Sequence, residues 1–437
     1  MITDNAQTAS ALRGTTEPER PVAHNQSARA SDSEIMRVSR RPCEVALLTG
    51  GADKPYALGL APSLAAEGIT VDFIGSDDIN GPELHNSSQI NFLNLRGDQS
   101  VKASRARKMW RVFAYYFRLM LYAATSRPRV FHILWNNKFE FFDRTVLMLY
   151  YKLLGKKVVF TAHNVNAGKR DGNDGVLNRF SLKCQYRLAD HILVHTAKMK
   201  EELAAEFGIN GDKVTVIPFG INNTVPNTKL SATEARKLAG VESNLKTMLF
   251  FGNIAPYKGL EYLINALASV LSSDTSYRLV IAGRPKGCED YWSEIQRIIA
   301  QTGTHSRIIE KIEFVPDEQT EWYFKAADVL VLPYTHVFQS GVLFLGYSFG
   351  LPVLAADVGS LREDIVEGRT GFVFRPMDAA DLAAKIRDYF SSPLFHELEQ
   401  RRSDIQKFAN EKYSWAKAAG VTRRIYGALC GERKEIA

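Results

Sequence analysis

The stretch of sequence that decides the fold runs from Val329 to Gly371 and reads VLVLPYTHVFQSGVLFLGYSFGLPVLAADVGSLREDIVEGRTG. Its first 28 residues contain no Asp, Glu, Lys or Arg, a length that could span a membrane on hydropathy alone. Pro333, Gly341 and Pro352, however, divide it into short pieces that predict a strand, a loop, a short helix and a second strand. An uncharged interior of this kind is typical of a parallel sheet that is buried on both faces.

The loop Phe338-Gln339-Ser340-Gly341 is predicted to end at the N-terminus of the short helix. Backbone N–H groups at a helix N-terminus lack partners within the helix, and the helix dipole attracts an anion there. Gly341 has no Cβ that would obstruct a phosphate. This loop, from Phe338 to Gly341, is therefore a candidate phosphate cradle.

The composition predicts a protein of two domains in a reducing compartment. The chain has 437 residues, of which 45% are hydrophobic and 24% charged, as in soluble globular proteins. The four cysteines are far apart, so no zinc or redox centre is predicted. Residues 1–41 are polar, without an aromatic residue or an apolar signal segment, and are expected to be a disordered tail. A cytoplasmic location is expected.

The positive charge is concentrated in one part of the chain. The net charge is zero over residues 1–40, +7 over 41–225 and zero over 226–437. A predicted helix near residues 102–125 begins a segment with eight cations and no acid, and Trp110, Tyr115, Tyr116 and Phe117 lie among them. The cations are Lys102, Arg105, Arg107, Lys108, Arg111, Arg118, Arg127 and Arg129. Packing of this helix on a sheet explains the aromatic residues but not the charge.

Two partners could account for a basic helix of this kind. No recognised nucleic-acid-binding module accompanies it, so no nucleic acid is expected as a partner. An anionic membrane surface fits better, since it attracts Lys and Arg and accommodates Trp and Tyr at the interface. We therefore expect peripheral attachment at the inner face of a membrane.

Strands and helices alternate along both halves of the chain, which predicts two doubly wound parallel sheets of the Rossmann type. The first strand leads into Gly50-Gly51. Neither the dinucleotide-binding pattern GxGxxG nor the P-loop pattern GxxxxGK[ST] follows it. The predicted order is a tail (1–41), an N-terminal domain (42–222), a linker (223–230), a C-terminal domain (231–410) and a C-terminal helix (411–437) that packs back on the N-terminal domain. Loops after the strands of facing sheets should share a cleft.

Six stretches, read in order, resemble the GT-B glycosyltransferases, specifically the retaining group called family 4. They are VVFTAHNV (158–165), VIPFGIN (216–222), FFGNIAPYKGLEYLINAL (250–267), VIAGR (280–284), FKAADVLVLPY (324–334) and SFGLPVLAADVGSLREDIVEGRTGFV (348–373). The resemblance covers about residues 43–430. It implies two Rossmann-like domains that face each other across a cleft, with a nucleotide sugar bound by the C-terminal domain and an acceptor by the N-terminal one.

The resemblance also implies roles for individual residues. Lys258 would bind the donor diphosphate together with the backbone of Ser340, Gly341 and Val342. His163 would face the donor sugar, and the Gly50-Gly51 turn would approach the reaction centre. A lysine and aimed N–H groups stabilise a leaving diphosphate, so neither a metal nor a cofactor is expected. The adjacent acids Asp77-Asp78 are expected to be a surface turn.

Two departures from the family pattern affect these roles. The family usually has Gly-Arg where this chain has Gly252-Asn253, and Arg284 is the expected substitute for the missing cation. The family also usually has two glutamates eight positions apart, where this chain has Phe338 and Gly346. Asn253 and Arg284 are therefore kept as donor-binding candidates, but the identity of the sugar and the base is not inherited.

Simpler structural explanations remain open for several of these residues. Lys258 also fits a solvated turn, and His163 fits a core histidine with both nitrogens bonded. Ser360 and Glu363 have the spacing of a helix capping box. The predicted function is a retaining hexosyltransferase that acts on a saccharide or lipid-linked acceptor, such as a precursor of a cell-surface polysaccharide. The alternatives are a nucleotide-sugar-binding protein without transfer activity and a GT-B epimerase.

Overall fold

Both halves of the chain alternate apolar strands with helices, as the sequence predicts. The computed structural model describes residues 44–50, 54–100, 103–170, 172–223, 225–242, 244–285 and 287–431. The tail predicted for residues 1–41, the second glycine of the first turn, Gly51, and the first cation of the basic segment, Lys102, lie outside these residues. Contacts group residues 42–437 into one unit.

The N-terminal half forms a parallel sheet that has seven strands in the described residues, in the order β3-β2-β1-β4-β5-β6-β7. The strands are β1 (Glu44–Leu48), β2 (Thr70–Gly75), β3 (Ile90–Asn94), β4 (Val130–Ile133), β5 (Lys157–Thr161), β6 (His191–Val194) and β7 (Val214–Val216). The helices are α1 (Lys54–Ala66), α2 (Arg105–Thr125), α3 (Glu140–Phe142), α4 (Met148–Leu153), α5 (Ala167–Arg170), α6 (Val176–Leu188) and α7 (Ala197–Phe207). A π-helical turn, Asp143–Leu147, joins α3 to α4.

The C-terminal half forms a second parallel sheet, in which the described residues supply six strands in the order β10-β9-β8-β11-β12-β13. The strands are β8 (Lys246–Phe251), β9 (Tyr277–Ala282), β10 (Ile308–Lys311), β11 (Val329–Leu332), β12 (Val353–Ala356) and β13 (Gly371–Phe374). The helices are α8 (Ala232–Ala239), α9 (Leu260–Leu271), α10 (Glu289–Thr302), α11 (Asp317–Ala326), α12 (Gly341–Ser348), α13 (Leu361–Asp364), α14 (Ala379–Phe390), α15 (Pro393–His396), α16 (Leu398–Lys412) and α17 (Trp415–Cys430).

The capping box predicted at Ser360 and Glu363 is wrong, because the Ser360 hydroxyl donates to the Phe338 carbonyl at 2.9 Å instead of capping α13. Ser231 and Glu234 do form a capping box, at the start of α8. The edge strand β10 ends at Lys311, and Phe314 is exposed beyond it.

The chain order of the strands reverses once in each sheet, between β1 and β4 and between β8 and β11. Ligands of open α/β sheets bind outside the carboxyl ends of the strands at such reversals. Gly50 and Trp135 follow β1 and β4, whereas Lys258 and Tyr334 lie after β8 and β11. The strand order therefore places the turns that contain these four residues at the two positions where a ligand is expected to bind, one in each sheet.

The last helix, α17, packs against α1 and β4 of the N-terminal half. The Trp415 ring lies against Gly59 and Gly220, where a Cβ on either glycine would overlap it, and its Nε1 donates to the Ile221 carbonyl at 2.8 Å. Nearer the end of α17, the Tyr426 hydroxyl lies 2.6 Å from Nδ1 of a fully buried histidine, His132. The chain thus returns to its N-terminal half.

The cations on helix α2 fall into two groups that differ in exposure. Arg105 and Arg107 are exposed, whereas Lys108 and Arg111 line a pocket, because successive residues are rotated by about 100° around a helix of 3.6 residues per turn. Of the aromatic residues expected at a membrane interface, Trp110 and Phe117 are exposed, but Tyr115 and Tyr116 are buried in the core. Within the described part of the chain, no helix has both the length and the apolar character needed to cross a bilayer.

Candidate functional site

The candidate site is a pocket of about 320 Å³ between the two halves of the chain. Its wall combines residues of the N-terminal half with the turns after β8 and β11. The lining residues are Pro55, Tyr56, Asn164, Phe219, Gly220, Asn222, Tyr257, Lys258, Tyr334, Val337, Gln339, Ser340, Gly341, Val342, Leu345 and Trp415. Five of the residues predicted to bind the donor meet here: Lys258, Gln339, Ser340, Gly341 and Val342.

Lys258 brings a buried cation into this pocket. Its side chain is only 7% exposed, and Nζ donates to the Tyr334 hydroxyl at 2.6 Å and lies 4.4 Å from the centre of the Tyr334 ring. The next residue, Gly259, has a φ of 63°, and a Cβ there would overlap the Pro333 carbonyl. This glycine therefore allows the lysine turn to pack directly against the end of β11, and a solvated turn is not the environment observed.

The loop before α12 forms the part of the pocket wall next to Lys258. The Tyr334 hydroxyl lies 3.3 Å from Ser340 Oγ, so Lys258, Tyr334 and Ser340 form a continuous polar row. Burial raises the pKa of Tyr334, which keeps its hydroxyl neutral. A Cβ at Gly341 would meet no heavy atom within 4 Å, so the start of α12 is open to a ligand. The N–H groups and dipole of this helix start favour an anion beside the Lys258 ammonium.

Gln339 adds a polar atom with no partner of its own. Its Nε2 lies 3.5 Å from Asp364 Oδ2, while its Oε1 is buried and has no hydrogen-bond partner among the described residues. Asp364 accepts a hydrogen bond from the Tyr413 hydroxyl at 2.8 Å, and burial raises the pKa of its carboxyl to about 6. The amide of Gln339 is therefore anchored on one side and available to a ligand on the other.

His163 lies behind the pocket wall. Its ring stacks on Trp135 with centroids 3.8 Å apart, meets Tyr56 edge-on at 4.6 Å, and has Nδ1 3.1 Å from Nε2 of His195. Burial, followed by the neighbouring imidazoles, lowers the pKa of His163 well below its usual value, and burial lowers the pKa of His195 to about 4. Both rings are therefore neutral near pH 7. Tyr56 and Asn164, which adjoin His163, line the pocket, whereas His163 itself does not.

The remaining predicted residues that the structure describes, Gly50, Asn253 and Arg284, lie outside the pocket. Gly50 has a φ of 60°, and a Cβ there would overlap the Trp135 carbonyl, so the first turn needs this glycine to approach β4. Asn253 and Arg284 are both exposed, and neither lines the pocket. The Arg284 guanidinium carbon instead lies 5.3 Å from the centre of the Phe314 ring. The structure therefore does not bring Arg284 into the place of the missing cation.

The two positions that usually carry glutamates are occupied by apolar packing. Phe338 is buried and belongs to the hydrophobic cluster of the N-terminal half. A Cβ at Gly346 would lie 2.8 Å from a methyl carbon of Leu330, which explains why a helix residue here is glycine. No carboxylate can reach the pocket from either position.

Sequence reasoning missed several wall residues. Trp415 lies more than 150 residues after Lys258 in the sequence, and no local pattern connects them. Asn164 and Phe219 belong to family-like stretches but carry no chemical signature of their own. Among the described residues, no group of three or more His, Cys, Asp or Glu side chains could hold a metal ion.

Comparisons with known proteins agree with this architecture. Residues 50–224 match the family model described as Glycosyltransferase Family 4, and residues 245–392 match the model described as Glycosyl transferases group 1. The D-inositol 3-phosphate glycosyltransferase of Streptomyces scabiei is 30% identical over 257 residues, which is 57% of this chain and 56% of that protein. Its counterpart from Corynebacterium diphtheriae is 27% identical over 289 residues, 62% and 65% of the two chains. The matches thus span less than two thirds of each of these relatives.

Solved structures show the same fold. Sucrose-phosphate synthase from Thermosynechococcus elongatus has a TM-score of 0.69 at 18% identity and covers 90% of this chain and 100% of its own. HepE from Anabaena, solved with UDP and glucose, has a TM-score of 0.66 at 16% identity and covers 89% and 100%. The two facing parallel-sheet domains are those of the GT-B fold, as the sequence predicts.

Proposed function

The chain belongs to family 4 of the GT-B glycosyltransferases, and on this premise we propose that it transfers a hexose-type sugar from a nucleotide-diphosphate sugar to a saccharide acceptor with retention of configuration. The observation that carries the proposal is the buried Lys258 ammonium in the same pocket as the start of α12. The structural neighbour HepE, solved with UDP and glucose, supports a donor of this class.

The chemistry of the pocket suits a leaving nucleoside diphosphate. Negative charge grows on the diphosphate as the bond to the sugar breaks, and fixed positive groups stabilise that charge more in the transition state than in the ground state. Lys258 supplies one full charge, and the N–H groups of Gly341 and Val342 supply oriented dipoles. We propose that these groups take the role that a divalent metal has in other transferases, so that the reaction needs neither a metal nor a cofactor.

The sugar is proposed to lie on the N-terminal side of the pocket. Asn164 lines this side, and His163 supports it from behind through Tyr56. A neutral imidazole can donate one hydrogen bond and accept another, and the stacked Trp135 fixes its plane. His163 is thus proposed to contact the sugar once donor binding opens the Tyr56 wall, and Gly50 keeps the first turn close to the same edge.

A non-transferring binding protein is the second candidate. Its specific support is the absence of carboxylates at positions 338 and 346, where this chain has Phe338 and Gly346. In the family, glutamates at these two positions contact the sugar and the ribose. An epimerase is a further alternative, because it would use the same donor pocket. Turnover separates the three functions, since a binding protein releases no nucleoside diphosphate and an epimerase changes the sugar.

We expect the purified protein to release nucleoside diphosphate from one member of a panel of nucleotide sugars, faster with acceptor than without. Proton NMR of the product should show the anomeric configuration of the donor, and EDTA should leave the rate unchanged because the proposed charge stabilisation comes from Lys258. Binding of a nucleoside diphosphate without turnover of any donor would favour the binding protein. A strict requirement for a divalent ion would contradict the metal-independent mechanism.

We further propose that the enzyme works at an anionic membrane surface on a lipid-linked precursor of a cell-surface polysaccharide. Five apolar side chains form the outer face of α2: Met109, Trp110, Phe113, Phe117 and Leu121, each at least 55% exposed. Arg105 and Arg107 lie beside them on the same helix. Anionic lipids attract each Lys or Arg by about 1 kcal/mol, and tryptophan favours the interface. Leu149 and Leu153 are also exposed on α4, which is linked to α2 by a hydrogen bond from the Tyr150 hydroxyl to the Met120 carbonyl.

The outer face of α2 should bind anionic vesicles both through its apolar side chains and through its cations, and one experiment can separate these two contributions. Replacing Trp110, Phe113 and Phe117 together by serine should reduce sedimentation with phosphatidylglycerol vesicles at all salt concentrations. Replacing Arg105 and Arg107 by glutamine should reduce it mainly at low salt, because the Debye length falls to about 3 Å at 1 M salt. The control replaces Leu238 and Phe314, exposed apolar residues of the C-terminal half, by serine. Sedimentation of all variants like the wild type would contradict membrane attachment.

A further inference from the structure

A second pocket, of about 290 Å³, lies at the carboxyl edge of the N-terminal sheet. Four of its lining residues are cations: Arg96, Lys108, Arg111 and Lys138. Arg96 follows β3, Lys138 follows β4, and the other two lie on the first turns of α2. The volume is roughly ten times the ~30 Å³ that one water molecule takes in the liquid. This basic pocket can thus hold an anionic group together with part of the molecule that carries it.

The two arginines are fixed in place mainly by uncharged groups. Arg111 donates to the carbonyls of Asp98 at 2.7 Å and Ser100 at 3.2 Å. Arg96 donates to Asn137 Oδ1 at 3.2 Å and lies over the Tyr115 ring at 4.9 Å. Carbonyl and amide oxygens orient a guanidinium without cancelling its charge, and each guanidinium carries five N–H donors.

Two carboxylates offset part of this charge: the exposed Asp98, and the buried Asp143, which interacts electrostatically with Arg96. Asp98 Oδ2 lies 3.5 Å from Arg111 Nη1, and the Asp98 side chain is 52% exposed, so this ion pair is weak. The Arg111 side chain is only 18% exposed, and a partly desolvated guanidinium binds a phosphate more strongly than an exposed one does. The basic pocket therefore keeps an excess of positive charge among the residues that line it.

The chain connects this pocket to the candidate active site. Lys138 is three residues after Trp135, the ring on which His163 stacks. Consecutive Cα atoms are 3.8 Å apart, so the Cα atoms of these two residues are separated by at most about 11 Å. The same run is held by Asn137, whose Oδ1 accepts from both the Tyr115 hydroxyl and Arg96. The basic pocket and the sugar side of the donor pocket thus share one loop of the acceptor-side domain.

We propose that the basic pocket binds a phosphate group of the acceptor, so that the sugar is transferred to a phosphorylated saccharide or to a saccharide joined to a lipid phosphate. This inference rests on the proposed function, which supplies the acceptor, and it adds the chemical class of that acceptor. The phosphate would accept charge-assisted hydrogen bonds from Arg111 and Lys138 while the saccharide extends along the loop toward Trp135.

The test compares matched probes on the full-length protein. Ligand-observed NMR should show that glucose 6-phosphate binds at least about tenfold more tightly than glucose, and more tightly than inorganic phosphate, because both the anion and the sugar have contacts. Decyl phosphate serves as the lipid arm, and preferential binding of it would assign the phosphate to a lipid-linked acceptor. Equal binding of glucose and glucose 6-phosphate would overturn the proposal. Binding of inorganic phosphate as tight as that of glucose 6-phosphate would reduce the pocket to a simple anion site and overturn it as well.

Two variants assign the binding to the basic pocket. Lys138→Gln changes an exposed residue and Arg111→Gln a half-buried one, and each should weaken glucose 6-phosphate binding about tenfold. Arg118→Gln makes the same charge change on an exposed part of α2 outside the pocket and should bind like the wild type. Unchanged binding in both pocket variants would overturn the proposal. Nucleoside diphosphate binding should be the same in the wild type and the three variants. Loss of this binding would show separately that the proposed donor site is wrong.

Discussion

Lys258→Ala is expected to lower kcat about 100-fold while the protein stays folded. Removal of one oriented donor to a developing oxyanion costs about 10²–10³ in rate in other enzymes. Among the described residues that line the donor pocket, the buried Lys258 ammonium is the one full positive charge. The row from Tyr334 to Ser340 would remain in the variant. Steady-state and single-turnover rates measure the effect, with thermal unfolding to verify the fold.

Two companion variants give the cause of the lost rate. Lys258→Met keeps most of the side-chain volume but not the charge, so it should be as slow as the alanine variant. Tyr334→Phe removes only the hydroxyl that accepts from Nζ, so it should cost less than Lys258→Ala while the ammonium remains. Wild-type rates in both Lys258 variants would contradict a role for this residue at the leaving group.

Several residues that line the candidate site could be predicted from the sequence because each follows a strand. Lys258 and Ser340 come after β8 and β11, and all strands of a parallel sheet end at the same edge. The prediction of Arg284 followed the same logic, but Arg284 does not line the pocket, because the prediction depended on lateral order within the sheet. Arg284 follows β9, while the order reversal falls between β8 and β11, and its side chain turns toward Phe314. Which turns become neighbours is decided by the strand order, which no local pattern encodes.

The basic helix shows a second limit of sequence reasoning. The count of cations correctly indicated an unusual helix, but it treated Lys108 and Arg111 as equivalent to Arg105 and Arg107. The buried face of α2, which includes Tyr115 and Leu119, fixes the rotation of the helix on the sheet. That rotation directs two cations toward the basic pocket and leaves the others outside. Sequence periodicity can predict which face of α2 is polar. Which residues lie against that face depends on the loops after β3 and β4.

Trp415 exemplifies long-range packing that the sequence did not reveal. It begins the last helix, yet its ring fills a gap between α1 and the turn after β7. Its edge meets the Tyr56 ring at 4.9 Å, and it lines the donor pocket. The gap exists because Gly59 and Gly220 have no side chains. A helix-interior glycine normally costs about 1 kcal/mol relative to alanine, so Gly59 is explained by the ring that it accommodates.

Trp415→Ala is therefore expected to lower the free energy of unfolding by about 3 kcal/mol, the lower end of the range for large aromatic residues, since the ring is only partly buried. The loss includes its packing and its hydrogen bond to the Ile221 carbonyl. Denaturant unfolding measures this change, and an increase in KM for the donor should accompany it because Trp415 forms part of the pocket wall. A wild-type unfolding curve would contradict the packing argument.

A double-mutant cycle makes this prediction specific to the contact. Gly59→Ala should destabilise the wild type, because its Cβ would overlap the Trp415 ring. In the Trp415→Ala background the same change should be neutral or stabilising by up to about 1 kcal/mol, since only the gain in helix propensity remains. Gly420→Ala on α17 is the matched control, because a Cβ there would meet only Glu67 Oε1 at 3.9 Å, and it should behave alike in both backgrounds. Equal effects of Gly59→Ala with and without the ring would show that Gly59 is not required by Trp415.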